Sequence, residues 1–163
     1  MESATRGSIQ ENVSMIIISP YSKKLMNGKP NPKNYPYWPE LIPQLNYEFK
    51  EPIIQIGIEG EAQLVDDFRP NLPMTELIKL LHSCTTWISC DSFFQHLAWL
   101  EGKPGIVLWS VSDPLIFGHP ENINLLKDRA NLAKDQFLWW EDQEYQKDAF
   151  IHPNEVIKNL KLL

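Results

Sequence analysis

The sequence predicts an α/β fold, a single Rossmann-like three-layer domain on a mainly parallel sheet. Three observations predict it. Short β-branched runs bounded by turn residues recur along the chain. Those runs are continuously apolar rather than alternating, the pattern of strands covered on both faces. Between them lie segments with apolar residues at helical spacing, so the chain alternates strand and helix and implies crossover connections.

The elements follow in order. Residues 1–13 read as a loose lead-in, and 14–163 as the domain. Met15-Ile16-Ile17-Ile18 is the first strand, ending at Ser19-Pro20. Residues 21–39 are rich in Lys, Asn, Pro and Gly, a long loop of the kind that often carries function. Trp38 to Leu45 forms a helix starting near Pro39. Pro52 to Ile58 is the second strand, followed by the turn Gly57-Ile58-Glu59-Gly60-Glu61. Phe68 to Leu72 makes a short third strand. Thr75 is the N-cap candidate for a helix whose apolar face is Leu77, Ile78, Leu80 and Leu81. Thr85 to Cys90 is the fourth strand, Phe94 to Leu100 a helix stopped at Gly102, and Gly105 to Trp109 the fifth strand. After Ile123 to Leu126 the pattern weakens. Leu132 to Trp140 is apolar and aromatic, and Asn154 caps a terminal helix with its stripe at Val156, Ile157 and Leu160.

Bulk properties narrow the function. A chain of 163 residues with 43% hydrophobic and 22% charged residues has an ordinary globular balance and room for a substantial core. The formal net charge of −6 argues against nucleic-acid binding through backbone electrostatics, and leaves room for a local phosphate site. No stretch reaches the roughly 20 apolar residues of a membrane helix, and residues 1–12 lack a signal-peptide apolar region. Cys84 and Cys90, the only cysteines, read as buried free thiols, consistent with a cytoplasmic location.

In parallel sheets ligands bind beyond the carboxyl ends of the strands, so the post-strand loops 19–36, 57–61, 90–96 and 109–119 are where a site belongs. Loop 90–96 joins a strand to a helix start, where free N–H groups attract anions. There Asp91 can accept from a sugar hydroxyl or act as a base, Ser92 can donate, and His96 lies about a turn further on. Equally, Asp91 or Ser92 is a plain N-cap and His96 a satisfied core histidine. Lys23, Lys24, Lys29 and Lys33 in the first loop suit phosphate, or form a solvated basic loop. Glu59 and Glu61 suit ribose hydroxyls, or are surface charge. Asp113 before Pro114 is a turn former or a site residue.

The order of these motifs resembles the C-terminal, donor-binding half of the heptosyltransferase-like GT-B glycosyltransferases. The residues that carry the resemblance are Lys33-Asn34-Tyr35-Pro36, Gly57 with Glu61, Leu72-Pro73-Met74-Thr75-Glu76-Leu77, Asp91-Ser92-Phe93-Phe94-Gln95-His96-Leu97-Ala98, Gly102-Lys103-Pro104 and Ser112-Asp113-Pro114. The resemblance covers roughly residues 14–126. The resemblance implies a nucleotide-sugar ligand used as substrate, no metal and no separate cofactor. Tyr21 and Ser22 would face the phosphates, with Lys33 as the phosphate-binding lysine. Glu61 would hold the ribose and Met74 would line the base pocket. Asp91, Ser92 and His96 would form the turn that contacts sugar and phosphate, with Asp91 and His96 assisting catalysis. Phe93 stands where the family has glycine, which narrows the backbone's approach to phosphate.

The chain has about half the length of a complete enzyme of that family, whose other half binds the acceptor. The expected function is therefore a glycosyltransferase of hexosyl or heptosyl type acting with an acceptor-binding partner or as a homo-oligomer. The alternatives are a non-catalytic protein that sequesters or senses a nucleotide or nucleotide-sugar, and a structural remnant.

Overall fold

The computed structural model describes residues 14–163; the lead-in over 1–13 lies outside the described residues. Six strands form one all-parallel sheet: β1 (Ile16–Ser19), β2 (Ile53–Gly57), β3 (Asp67–Pro70), β4 (Thr86–Cys90), β5 (Ile106–Leu108) and β6 (Ile123–Leu125). Their order is β3-β2-β1-β4-β5-β6. The chain thus winds outward from β1 to β3, returns to the middle and winds out the other way. That order is the doubly wound, Rossmann-like one, and the direction reverses between β1 and β4.

The sequence of each strand explains its place. β1, β4 and β5 are buried throughout, as central strands covered on both faces must be. β3 and β6 form the edges and carry half-buried or exposed residues. Successive side chains point to opposite faces. Ile16 and Ile18 therefore join one core layer and Ile17 the other.

The first layer is covered by α1 (Trp38–Glu48) and α5 (Pro153–Leu160). Trp38, Leu41, Ile42 and Leu45 of α1 follow the 3.6-residue repeat and meet Val156, Ile157 and Leu160 of α5 around Phe150. The second layer is covered by α2 (Met74–Ser83) and α3 (Phe93–Leu100), through Leu80, Leu81, Phe94, Leu97 and Ala98. α3 stops at Gly102, whose φ of 67° is the left-handed conformation that glycine adopts without penalty. A single-turn helix, α4 (Pro114–Phe117), follows β5, and among the described residues no helix is long and apolar enough to cross a membrane.

Two capping expectations are corrected. Pro73, not Thr75, holds the N-cap position of α2; Thr75 sits inside the first turn and no side chain caps that end. α5 starts at Pro153 with His152 before it, so Asn154 lies within the helix and accepts only from the adjacent Glu155 N–H at 3.1 Å. In α5 the proline stands at the first helical position, where its fixed φ suits the start; in α2 Pro73 stands just before the helix with an extended backbone. The end of the second strand and the limits of the third move by a residue or two, within the usual fraying of element ends.

The connection from β2 to the parallel β3 contains no helix. Residues 58–66 cross the first face alone, and Leu64 and Val65 pack on its core where a helix would lie. Gln55 makes this possible. Its side chain is fully buried within β2, donating from Nε2 to the Ala62 carbonyl at 2.9 Å and accepting the Leu64 N–H on Oε1 at 2.7 Å. An otherwise apolar strand carries this one amide because two backbone groups of the connector would be buried without partners. Gln55→Leu keeps the bulk and strands both groups. It is expected to lower stability by about 2–3 kcal/mol, seen in urea unfolding as a lower midpoint at unchanged slope.

Candidate functional site

The reversal between β1 and β4 opens a cleft at the carboxyl ends of the strands, with a volume of about 620 Å³. That is within the range of small-molecule and cofactor sites. Its walls come from the loop after β1, the turn after β2, the end of β3, the start of α3, and residues 138–141 of the segment that runs from β6 back to α5.

The turn after β4 is fixed from several sides. Ser22, in the loop after β1, donates its hydroxyl to the Asp91 carbonyl at 2.6 Å, which ties the two post-strand loops together. Asp91 is buried. Its Oδ1 accepts from the Gln95 amide one helical turn further on, at 2.7 Å. Its Oδ2 makes no well-angled hydrogen bond and instead faces the Lys33 ammonium at 3.1 Å as an ion pair. The same ammonium lies over the Trp140 ring, 4.5 Å from its centroid, a cation–π contact. Lys33 is brought here by its own loop, since Asn31 accepts the Lys33 N–H at 3.0 Å and donates to the Lys23 carbonyl at 2.8 Å.

Ser92 occupies the N-cap position of α3 but does not cap it. Its backbone is extended, and its hydroxyl faces Ser89 at 3.3 Å instead of the helix. The first-turn N–H groups of α3 therefore have no side-chain acceptor and open toward the cleft wall formed by Ser92, Phe93 and Phe94. The Phe93 ring, 59% exposed, lies along that wall.

The turn after β2 carries Glu61, which accepts the Ile58 N–H at 3.2 Å. Burial raises its carboxyl pKa, and the Ile58 N–H partly offsets this. Gly57 explains the spacing of the two residues: a Cβ at position 57 would overlap the Glu61 carboxylate. Tyr21 stands close by, its phenol pKa raised by burial first and by Glu61 second. The Cys90 thiol, pushed up to about 12 mainly by burial, is an inert core group, and Cys84 is likewise a buried free thiol.

The structure thus brings Tyr21, Ser22, Lys33, Glu61, Asp91, Ser92 and Phe93 to one cleft. Met74 and His96 are not on its walls. Met74 opens α2 with its side chain 49% exposed. The exposed His96 pairs its Nδ1 with Nε2 of His119 at 2.8 Å, and Trp99 stacks on His119. Burial and His119 lower the His96 pKa, so the neutral ring is favoured. Asp113 lies outside the cleft too, capping α4 and holding Arg129 at 2.8 Å, which keeps its carboxyl below the usual range.

Sequence reasoning missed Gln95 and the wall at 138–141. Gln95 was detectable as a polar residue four positions after Asp91 on a helix. The wall had no periodic signal. Among the described residues no group of three or more His, Cys, Asp or Glu side chains is placed to hold a metal.

With Gly57 giving room to Glu61, Gly57→Ala is expected to push the carboxylate aside at little cost in stability, because the end of a flexible side chain moves rather than backbone. Released toward water, Glu61 should titrate nearer the ordinary carboxylate value. A carbon-13 NMR titration of its Cδ reads this as a downward shift; an unchanged curve contradicts the close packing.

No protein-family profile and no curated protein matches the sequence. Solved structures do. The E. coli heptosyltransferase WaaC with ADP superposes with a TM-score of 0.65 at 14% identity, over 95% of this chain and 46% of that one. E. coli ADP-heptose LPS heptosyltransferase II gives 0.66 at 17% identity, over 95% and 47%. The dodecameric iron-containing heptosyltransferase TibC from E. coli, in complex with ADP-D-β-D-heptose, gives 0.65 at 18% identity, over 91% and 45%. The chain therefore spans about half the length of the structures it matches, and it has the fold of one half of a GT-B heptosyltransferase.

Proposed function

We propose that the cleft binds a nucleotide-sugar, and that the chain is the donor-binding part of a glycosyltransferase. One observation carries this reading. At the point where the sheet reverses direction, a lysine ammonium, an uncapped helix start and a ribose-type glutamate line one cleft. Doubly wound folds bind nucleotides at that point, with the pyrophosphate near a helix N-terminus and an acidic residue on the ribose.

The parts divide the ligand by chemistry. Glu61 and Tyr21 receive the ribose hydroxyls, and the diphosphate spans Lys33, Ser92 and the first N–H groups of α3. Ile56, Leu72 and Leu77 give the base an apolar slot. In transfer, the diphosphate gains charge as its bond to the sugar breaks. Lys33 and the helix start favour that charge without requiring a metal. Support comes from two of the structural neighbours, WaaC with ADP and TibC in complex with ADP-D-β-D-heptose.

In this reading Asp91 orients Lys33 rather than acting as a general base, since Gln95 donates to one of its oxygens and the Lys33 ammonium faces the other. His96 is paired away from the cleft walls. Transfer therefore needs an acceptor-binding part beyond these residues, a partner chain, a second copy or further polypeptide. The same observation favours a second reading, binding without turnover as in a sequestering or sensing protein.

A thermal-shift series with ADP, UDP, GDP and their sugar conjugates tests the site. A ligand that binds the folded state should raise the melting temperature. For whichever ligand binds, Lys33→Ala should weaken affinity about tenfold by calorimetry. Absence of any shift across the series overturns the reading. Release of free sugar by the chain alone would overturn the need for a further part.

A further inference from the structure

We propose that Trp139 is the platform on which the sugar of the bound nucleotide-sugar stacks, an inference that rests on the nucleotide reading of the cleft. The order of elements along the carboxyl edge of the sheet carries it. Glu61 follows β2 and Leu72 follows β3, on one side of the reversal. Lys33 and Ser92 mark the reversal itself. The remaining wall, residues 138–141, is strung between the loop after β5, held through Gln136, and the first loop, held through Glu141. A nucleotide-sugar is linear: base, ribose, diphosphate, sugar. With the ribose at Glu61 and the diphosphate at the reversal, the sugar falls under this wall.

The wall is anchored on both flanks. On the β5 side, Gln136 donates to the Val111 carbonyl at 2.9 Å and accepts the Asp113 N–H at 2.8 Å, and Phe137 meets Phe117 edge-on with centroids 5.9 Å apart. On the side of the first loop, Asn27 donates to the Glu141 carbonyl at 3.3 Å and Tyr145 to the Asn34 carbonyl at 2.7 Å. Trp140 is committed to Lys33. Trp139 is not: its indole is 71% exposed while lining the cleft. A large apolar ring presented to water on an anchored wall suits a flat apolar partner, and the C–H face of a sugar ring is one. Glu141 stands beside it on the same wall. Among the described residues its Oε1 takes only the Met26 N–H, at a long 3.4 Å, so the carboxylate can accept sugar hydroxyls.

The experiment compares matched ligands, ADP with ADP-D-β-D-heptose, UDP with UDP-glucose and GDP with GDP-mannose, on the wild-type chain and on Trp139→Ala and Trp139→Phe by calorimetry. Because the side chain is exposed, both variants should fold. For the pair that binds, the wild type should hold the sugar conjugate more tightly than the bare nucleotide. Trp139→Ala should weaken the conjugate roughly five- to tenfold and leave the nucleotide unchanged, with Trp139→Phe restoring most of the loss. Equal weakening of nucleotide and conjugate, or no weakening of either, overturns the inference while the nucleotide reading stands. If no member of any pair binds the wild type, the nucleotide reading fails and this inference fails with it.

Discussion

The ion pair between Lys33 and Asp91 is the contact on which the cleft depends. It joins the loop after β1 to the turn after β4, the two strands between which the sheet reverses. Asp91 is nearly inaccessible, with 6% of its side chain exposed against 17% for Lys33. A carboxylate at that depth needs a cation, and deleting one partner of a buried pair typically costs about 3–5 kcal/mol. The other contacts are arranged around it. Ser22 holds the Asp91 carbonyl, Gln95 fixes the free rotation of the carboxylate, and Trp140 lies against the far side of the ammonium. In the proposed function an arriving diphosphate meets a cation already positioned, and competes with Asp91 for it.

That arrangement also separates binding from chemistry. With one oxygen accepting from an amide and the other facing an ammonium, Asp91 orients its neighbours. The superposed heptosyltransferases are about twice as long as this chain. In our reading the rest of the active site comes from outside these residues. Under the proposed function the cleft supplies recognition of the donor and a place for the leaving diphosphate.

Much of this was legible in the sequence because buried parallel strands must be continuously apolar. Ile16 to Ile18, Trp87 to Cys90 and Ile106 to Leu108 announce themselves, and the loops that follow the first two line the cleft, whereas the loop after Leu108 does not. Other features depend on three-dimensional neighbours. Gln55 looks misplaced in a core strand until the helix-free connector it holds is seen. α2 begins at Met74, whose side chain is half exposed and off the cleft walls. His96 sits one turn along α3, as its spacing required, but on an exposed face where His119 meets it. The wall at 138–141 has neither helical nor strand period, and only its anchoring to two distant loops makes it part of the site.

The most direct test of the central claim is the response of backbone amides to a nucleoside diphosphate in a two-dimensional nitrogen-15 NMR titration. The account predicts saturable shifts concentrated at 57–61 and 91–94, with Lys33 and its loop moving in the same titration. Shifts confined to other surfaces, or no saturable shift with ADP, UDP or GDP, would contradict it.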